Sequence, residues 1–448
     1  RHSTLRYRAE KYLKRNKITV TAAVLILLSL FVGLGFSLQQ THIAQAESAR
    51  SEKISKFMEK VLNYANPAWY AEGNRNNGEA KLIDVIDDLS GQIAAEFPDD
   101  LDIQAELHHK FAEIYQANRN HTKALFHAEK ALDLRRRIYG ENHAEIAMDL
   151  YYLSAAKYSV GHVIESVKLG DQAIAMFHEI APENPNLPYV LENNANIYLH
   201  YYDDNDTAER YFSEALELFR RKDGNDHFNT ARELMELSKV YALRGDRARS
   251  DEFYCEGEKR FAGLTDANLR RSFIIYQGKV LRARGEIEVF EQMFESSLAE
   301  LERNGEGAGQ LAIQVSGELG VHYRAMDNLE RTLERLRFNL NVETGKPIPD
   351  LDDLGHHKAA IALCLLRLGR EAEAVPYFEA AYQQFKSSTA RENWLYAATI
   401  GQCLFYVNRR TEAAPLLKDA LDNYTANVPP RKEHRELASL LDQIANSK

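Results

Sequence analysis

The sequence predicts an all-α protein: a single transmembrane helix followed by an α-solenoid of about eight helical hairpins. Three observations carry this. Residues 18–38 form an uncharged run of 21 residues, three loop segments recur at intervals of 42, and the apolar residues between them follow helical spacing.

The length of 448 residues exceeds the roughly 50 to 250 of one globular core, so several domains or a repeat array are required. With 27% charged and 45% apolar residues, the chain has the composition of a folded protein. Arg1, where a methionine would open a complete chain, reads as the start of a processed or truncated piece with more protein expected upstream. In residues 1–17, Arg1, Arg6, Arg8, Lys11, Lys14, Arg15 and Lys17 face only Glu10, a head of +6. The net charge of −10 therefore leaves −16 for the remainder, which argues against nucleic acid as a partner. Cys255, Cys364 and Cys403 lie far apart with no CxxC pair, so neither a zinc site nor a disulfide is expected, and all three read as core thiols.

The run 18–38 includes Val24-Leu25-Ile26-Leu27-Leu28, and at about 1.5 Å per residue it matches the roughly 30 Å hydrocarbon layer. The basic head places residues 1–17 in the cytoplasm of a bacterium and residues 39–448 beyond its inner membrane, in the periplasm or outside. A cleaved secretion signal ending at Ala44-Gln45-Ala46 is the alternative, although the apolar run exceeds the 7 to 15 residues of a typical signal core. Ser29, Gly33 and Ser37 recur every four residues along the span. Either this stripe of small residues is a homodimer face, or its spacing is chance.

Residues 39–100 are expected to be a helical linker, residues 101–428 the solenoid, and residues 429–448 a capping helix that covers its open end. Gly140-Glu141-Asn142-His143, Pro182-Glu183-Asn184-Pro185 and Gly224-Asn225-Asp226-His227 mark the repeat, as do Ala131, Ala173 and Ala215. Each unit reads as two helices. Small residues at Ala195 and Ser238 on first helices, and at Ala124, Ala208, Ala374 and Ala414 on second ones, let helices approach closely. The turns within units fall at Gly161, Gly245, Gly285 and Gly369, and the pattern blurs between residues 257 and 342, where Gly257 and Ser297 replace alanine and no glycine stands near Met326-Asp327.

This spacing resembles the tetratricopeptide repeat in its 42-residue form, found in kinesin light chains and many bacterial signalling proteins. In such repeats, asparagines on first helices hydrogen-bond an extended peptide. The resemblance thus implies a protein or peptide ligand in the groove, with Asn193 and Asn196, three apart on one helix, and Tyr152 one unit earlier as contacts. Tyr201, Tyr202, Tyr211 and Phe212 read as helix core more readily than as a pocket.

The segment Ser3-Thr4-Leu5-Arg6-Tyr7-Arg8-Ala9-Glu10-Lys11-Tyr12-Leu13-Lys14-Arg15-Asn16-Lys17, followed by the span, resembles the juxtamembrane region of bacterial serine/threonine protein kinases. That implies an ATP- and Mg-dependent kinase domain upstream of Arg1. The chain itself has no His-Arg-Asp and no Asp-Phe-Gly, and Glu79 stands where the phosphate-loop spacing of Gly73 to Gly78 needs lysine, so no catalysis and no cofactor are expected here. His108-His109 and His356-His357 point about 100° apart on a helix and cannot share a metal, and His143 and His227 recur with the repeat as loop residues. The leading expectation is a ligand-binding sensor region of a membrane kinase. An envelope assembly scaffold without a kinase, and a membrane-anchored transcription regulator, are the alternatives.

Overall fold

The computed structural model describes residues 89–117, 120–345, 351–387 and 394–446, with scattered positions between 40 and 87. Among the described residues all regular structure is helical, in nineteen helices. In order these are α1 (Ile93–Glu96), α2 (Leu101–Ala117), α3 (His121–Tyr139), α4 (Ala144–Ser159), α5 (Val163–Ile180), α6 (Leu187–Tyr201) and α7 (Asn205–Asp223). Then follow α8 (Phe228–Leu243), α9 (Arg247–Gly263), the short α10 (Ala267–Arg271), α11 (Phe273–Ala283), α12 (Ile287–Arg303) and α13 (Gln310–Ala325). The last are α14 (Leu329–Thr344), α15 (Leu351–Arg367), α16 (Glu371–Ser387), α17 (Trp394–Tyr406), α18 (Arg410–Asn427) and α19 (Lys432–Ala445).

The chain divides into two compact units, Arg1–Phe111 and Ala112–Lys448. In the first, Leu89, Ile93, Ile103, Leu107 and Phe111 are buried, and Gln104 Nε2 donates to the Phe97 carbonyl at 2.7 Å. In the second, the pairs α4/α5, α6/α7, α8/α9, α11/α12, α13/α14, α15/α16 and α17/α18 are helical hairpins that pack on one another in sequence order, and α19 packs on the last.

Local chemistry starts the helices. Asn120, Asp204, Asp246 and Asn328 each accept from the backbone N–H three residues on, at Lys123, Thr207, Arg249 and Arg331, over 3.0 to 3.3 Å. His143 and His227 cap by Nδ1, accepting from Glu145 N and Asn229 N at 3.2 Å, which gives both repeated histidines a structural role. The turn inside each hairpin needs a left-handed residue. Gly161, Gly245, Gly285 and Gly369 supply it at φ between +72° and +86°, and Asp203, Asp327 and Asn408 supply it elsewhere at +52° to +61°.

Close helix approach is made by small side chains. Ser154 and Ser166 hydroxyls each donate to the other's carbonyl at 2.8 Å, and Ser238 donates to the Ser250 carbonyl at the same distance two repeats later. Ala124, Ala131, Ala208, Ala215, Ala374 and Ala381 have no exposure. In the last hairpin the buried partner of Ala420 is Ala413, while Ala414 is only partly covered, so the seven-residue interval holds there too. The blurred region inverts the rule. Phe290 and Phe294 fill the second helix, and a Cβ on Gly278 of the first would lie 2.1 Å from the Phe294 ring. Cys364 and Cys403 are core thiols as expected, but Cys255 is exposed.

The expectation of a membrane-spanning helix in the fold, and with it the single-pass inner-membrane location with residues 39–448 beyond the membrane, is corrected. Among the described residues no helix is long and apolar enough to cross a membrane. The uncharged α17 has 13 residues and spans about 20 Å, short of the roughly 30 Å needed. Longer helices such as α7 carry charge on one side because they bury only the other. The run 18–38, with the proposed dimer face at Ser29, Gly33 and Ser37, lies outside the described residues.

Candidate functional site

First helices of successive hairpins are joined by polar side chains about one repeat apart. Asn193 Nδ2 on α6 donates to the Tyr151 hydroxyl on α4 at 3.2 Å, a separation of 42 residues. Arg232 on α8 reaches back to Glu192 on α6, and its Nε donates to Glu233 at 3.4 Å. Lys279 on α11 bonds Glu236 on α8 at 3.4 Å, and Glu236 also pairs with Lys239. Arg282 on α11 pairs with Glu318 on α13 at 3.0 Å. The result is a polar ladder running from Tyr151 to Glu318 across five helices.

Burial grades along it. Asn193 is exposed and Tyr151 half-buried, whereas Glu233, Glu236 and Lys239 are buried. Burial pushes the Tyr151 phenol up to about 12. The Glu192 carboxyl is raised to about 7 by burial, against the pull of Arg232. Burial and the neighbouring Glu192 raise Glu233 well above the ordinary carboxylate range, and its Oε2 has no hydrogen-bond partner among the described residues. Burial would raise Glu236 too, but Lys239 and Lys279 outweigh it and keep it ionised. The arrangement offers hydrogen-bond donors and acceptors at its open end and buried charge in its middle, on α8, with no nucleophile set beside a base.

Of the residues singled out from sequence, Asn193 stands on this ladder. Its partner one unit earlier is Tyr151; the neighbouring Tyr152 instead donates to Glu113. Asn196 is half-buried and its Nδ2 is spent on the Glu192 carbonyl of its own helix at 3.0 Å. Tyr211 and Phe212 are core, and Tyr211 donates to Asp171 at 2.9 Å. Among the described residues no group of three or more His, Cys, Asp or Glu is placed to hold a metal. The ionic part of the ladder has little sequence signal: Glu233, Glu236 and Lys239 are spaced by three, which puts them on one side of α8 without marking that side as buried.

Several solved structures are similar to this chain. A Podosopora anserina protein of kinesin-light-chain type with nearly identical TPR-like repeats has 17% identity and a TM-score of 0.39, over 45% of this chain and 97% of its own. The apo form of RapI has 16% identity and a TM-score of 0.45, over 58% and 90%. NprR in complex with its cognate peptide NprX has 13% identity and a TM-score of 0.42, over 88% and 99%. With TM-scores below 0.5, these likenesses carry no weight for function. No curated protein sequence matches the chain. The tetratricopeptide repeat is not a catalytic fold. Residues 103–179 match the tetratricopeptide repeat family, so that stretch carries helical repeats of that type.

Proposed function

We propose that the chain is a non-enzymatic repeat scaffold that binds a protein or peptide segment along its first helices, at the open end of the polar ladder. The observation that carries this is the Tyr151–Asn193 pair: two exposed or half-exposed groups, each able to donate and accept, held one repeat apart on neighbouring first helices. Packed helices lie roughly 10 Å apart, about the rise of three residues of extended chain, so an extended segment meets one such group per repeat. Glu192 and Arg232 beside them add opposite charges that orient its polar side chains. The reading does not depend on the kinase expected upstream of Arg1, for which the comparisons give no support.

The test is selection of random displayed peptides on the full chain, followed by calorimetric titration of one selected peptide. Asn193→Ala is expected to weaken binding by about five- to thirtyfold, the worth of one or two hydrogen bonds. Tyr151→Phe should weaken it less, by removal of one hydroxyl. Peptides that bind both variants as tightly as the parent would overturn the assignment of this face.

A further inference from the structure

In an open solenoid each repeat touches only its neighbours. Here the last hairpin also touches the first two of the second unit. The Arg431 guanidinium lies 4.6 Å from the Tyr201 ring centre and donates to the His200 carbonyl at 2.8 Å, across 231 residues of sequence. Trp394, at the start of α17, is 4% exposed and packs against the turn of the α4/α5 hairpin. A Cβ on Gly161 would stand 2.6 Å from its ring, so glycine is what admits the indole there. The ring of Tyr424 on α18 meets Trp394 edge-on at 4.4 Å, and Val163, Val167, Ile197 and Val428 complete a small apolar cluster.

This contact differs in kind from the packing between successive hairpins. It borders an open cleft of about 320 Å³ whose walls include Tyr158, Tyr201, Trp394 and Tyr424. Side chains that face a cleft lack the dispersion contacts that a filled interface would give them. Its cationic contact, Arg431, is exposed and meets a ring and a backbone carbonyl, and Arg431 holds no place in any hairpin core. The apolar clusters between successive hairpins are larger, such as the one that runs from Ala112 to Val240.

We propose that this joint is a reversible clasp. Closed, it holds α17, α18 and the start of α19 on α5 and α6; open, it releases Arg431 and Trp394 while the hairpins between flex as rigid bodies through small changes per repeat. The clasp sets the curvature at which the first helices are presented, because it fixes the two ends of the run that they line.

The experiment measures distance between spin labels on Lys168→Cys of α5 and Arg435→Cys of α19 in the full chain, with exposed Cys255 changed to Ser. The parent is expected to show a dominant short distance and a minor longer one. Arg431→Ala removes a cation–π contact and a hydrogen bond and should raise the longer population about two- to fivefold, with helical content by circular dichroism unchanged. Tyr201→Leu should act in the same direction. If Trp394→Ala loses helical content, the Arg431→Ala and Tyr201→Leu variants decide alone. One unchanged short distance in the parent and in both of these variants would show a rigid junction and overturn the proposal.

Discussion

Asn194 lies so close to Gly170 that a Cβ on the glycine would stand 2.0 Å from the asparagine amide oxygen. The two residues sit where α5 meets α6, at the seam between one repeat and the next. Asn194 cannot retreat cheaply, since its Nδ2 donates to the Val167 carbonyl at 3.1 Å and to Asp171 at 3.0 Å. On helix propensity alone Gly170→Ala would gain about 1 kcal/mol, but overpacking a filled interior costs about 1 to 3 kcal/mol and dislodging Asn194 breaks its bonds as well. The variant is expected to be destabilised by about 1 to 2 kcal/mol in urea unfolding. A gain in stability would mean that Asn194 is free to move.

Arg135 and Asp149 form an ion pair of 2.7 Å with exposures of 2% and 1%, joining α3 to α4. Removing Asp149 takes the buried carboxylate away from a buried guanidinium and leaves the half-exposed Glu145 facing it, and breaking a buried pair in this way costs up to about 3 to 5 kcal/mol. Asp149→Ala should therefore lower the unfolding midpoint far more than Glu145→Ala, which removes the half-exposed second carboxylate on Arg135 at 3.1 Å. An Asp149→Ala midpoint no lower than that of Glu145→Ala would contradict the burial of the pair.

The repeat was legible because its period is written twice, in loops and in helices: Gly140 and Gly224 open loops, and Ala131, Ala173 and Ala215 sit at matching depths in second helices. What was missed has physical reasons. A search for glycine turns skips Asp327, since aspartate can also adopt the left-handed region. A search for buried alanines skips the α11/α12 hairpin, where Gly278 is the small partner and Phe290 and Phe294 the large ones. At the candidate site Asn193 could be picked out by residue type, but the buried ions of α8 could not, because charged residues are expected to face solvent. The contact of Trp394 with Gly161 had no signal in local sequence at all.

Asn408 tests the turn rule directly. It sits at φ +61° between α17 and α18, where the other hairpins have glycine or aspartate. A β-branched side chain pays the full steric cost of that region, about 1 to 2 kcal/mol, whereas glycine pays none. Asn408→Val is expected to lower the melting temperature and Asn408→Gly to leave it level or raise it slightly. Equal effects of the two would show that the turn is not held left-handed in solution.

Glu233 makes stability depend on pH with a defined sign. Burial, aided by Glu192 and opposed by Arg232, lifts its carboxyl well above the ordinary 4.5. The unfolded chain loses that proton in the ordinary carboxylate range, while the folded chain keeps it to higher pH. Below the ordinary range both states are protonated and nothing is lost; as pH rises from there toward the raised folded value, stability falls. Glu192, raised to about 7 by burial, contributes a slope of the same sign. Glu233→Gln keeps an acceptor for Arg232 Nε and removes the titration. Its melting temperature should fall less steeply with pH than the parent's between about pH 5 and pH 7, because the Glu233 share is gone while every other titrating group keeps its own. Parallel slopes in parent and variant would mean that Glu233 is ionised in the fold, with Arg232 and not burial governing its proton.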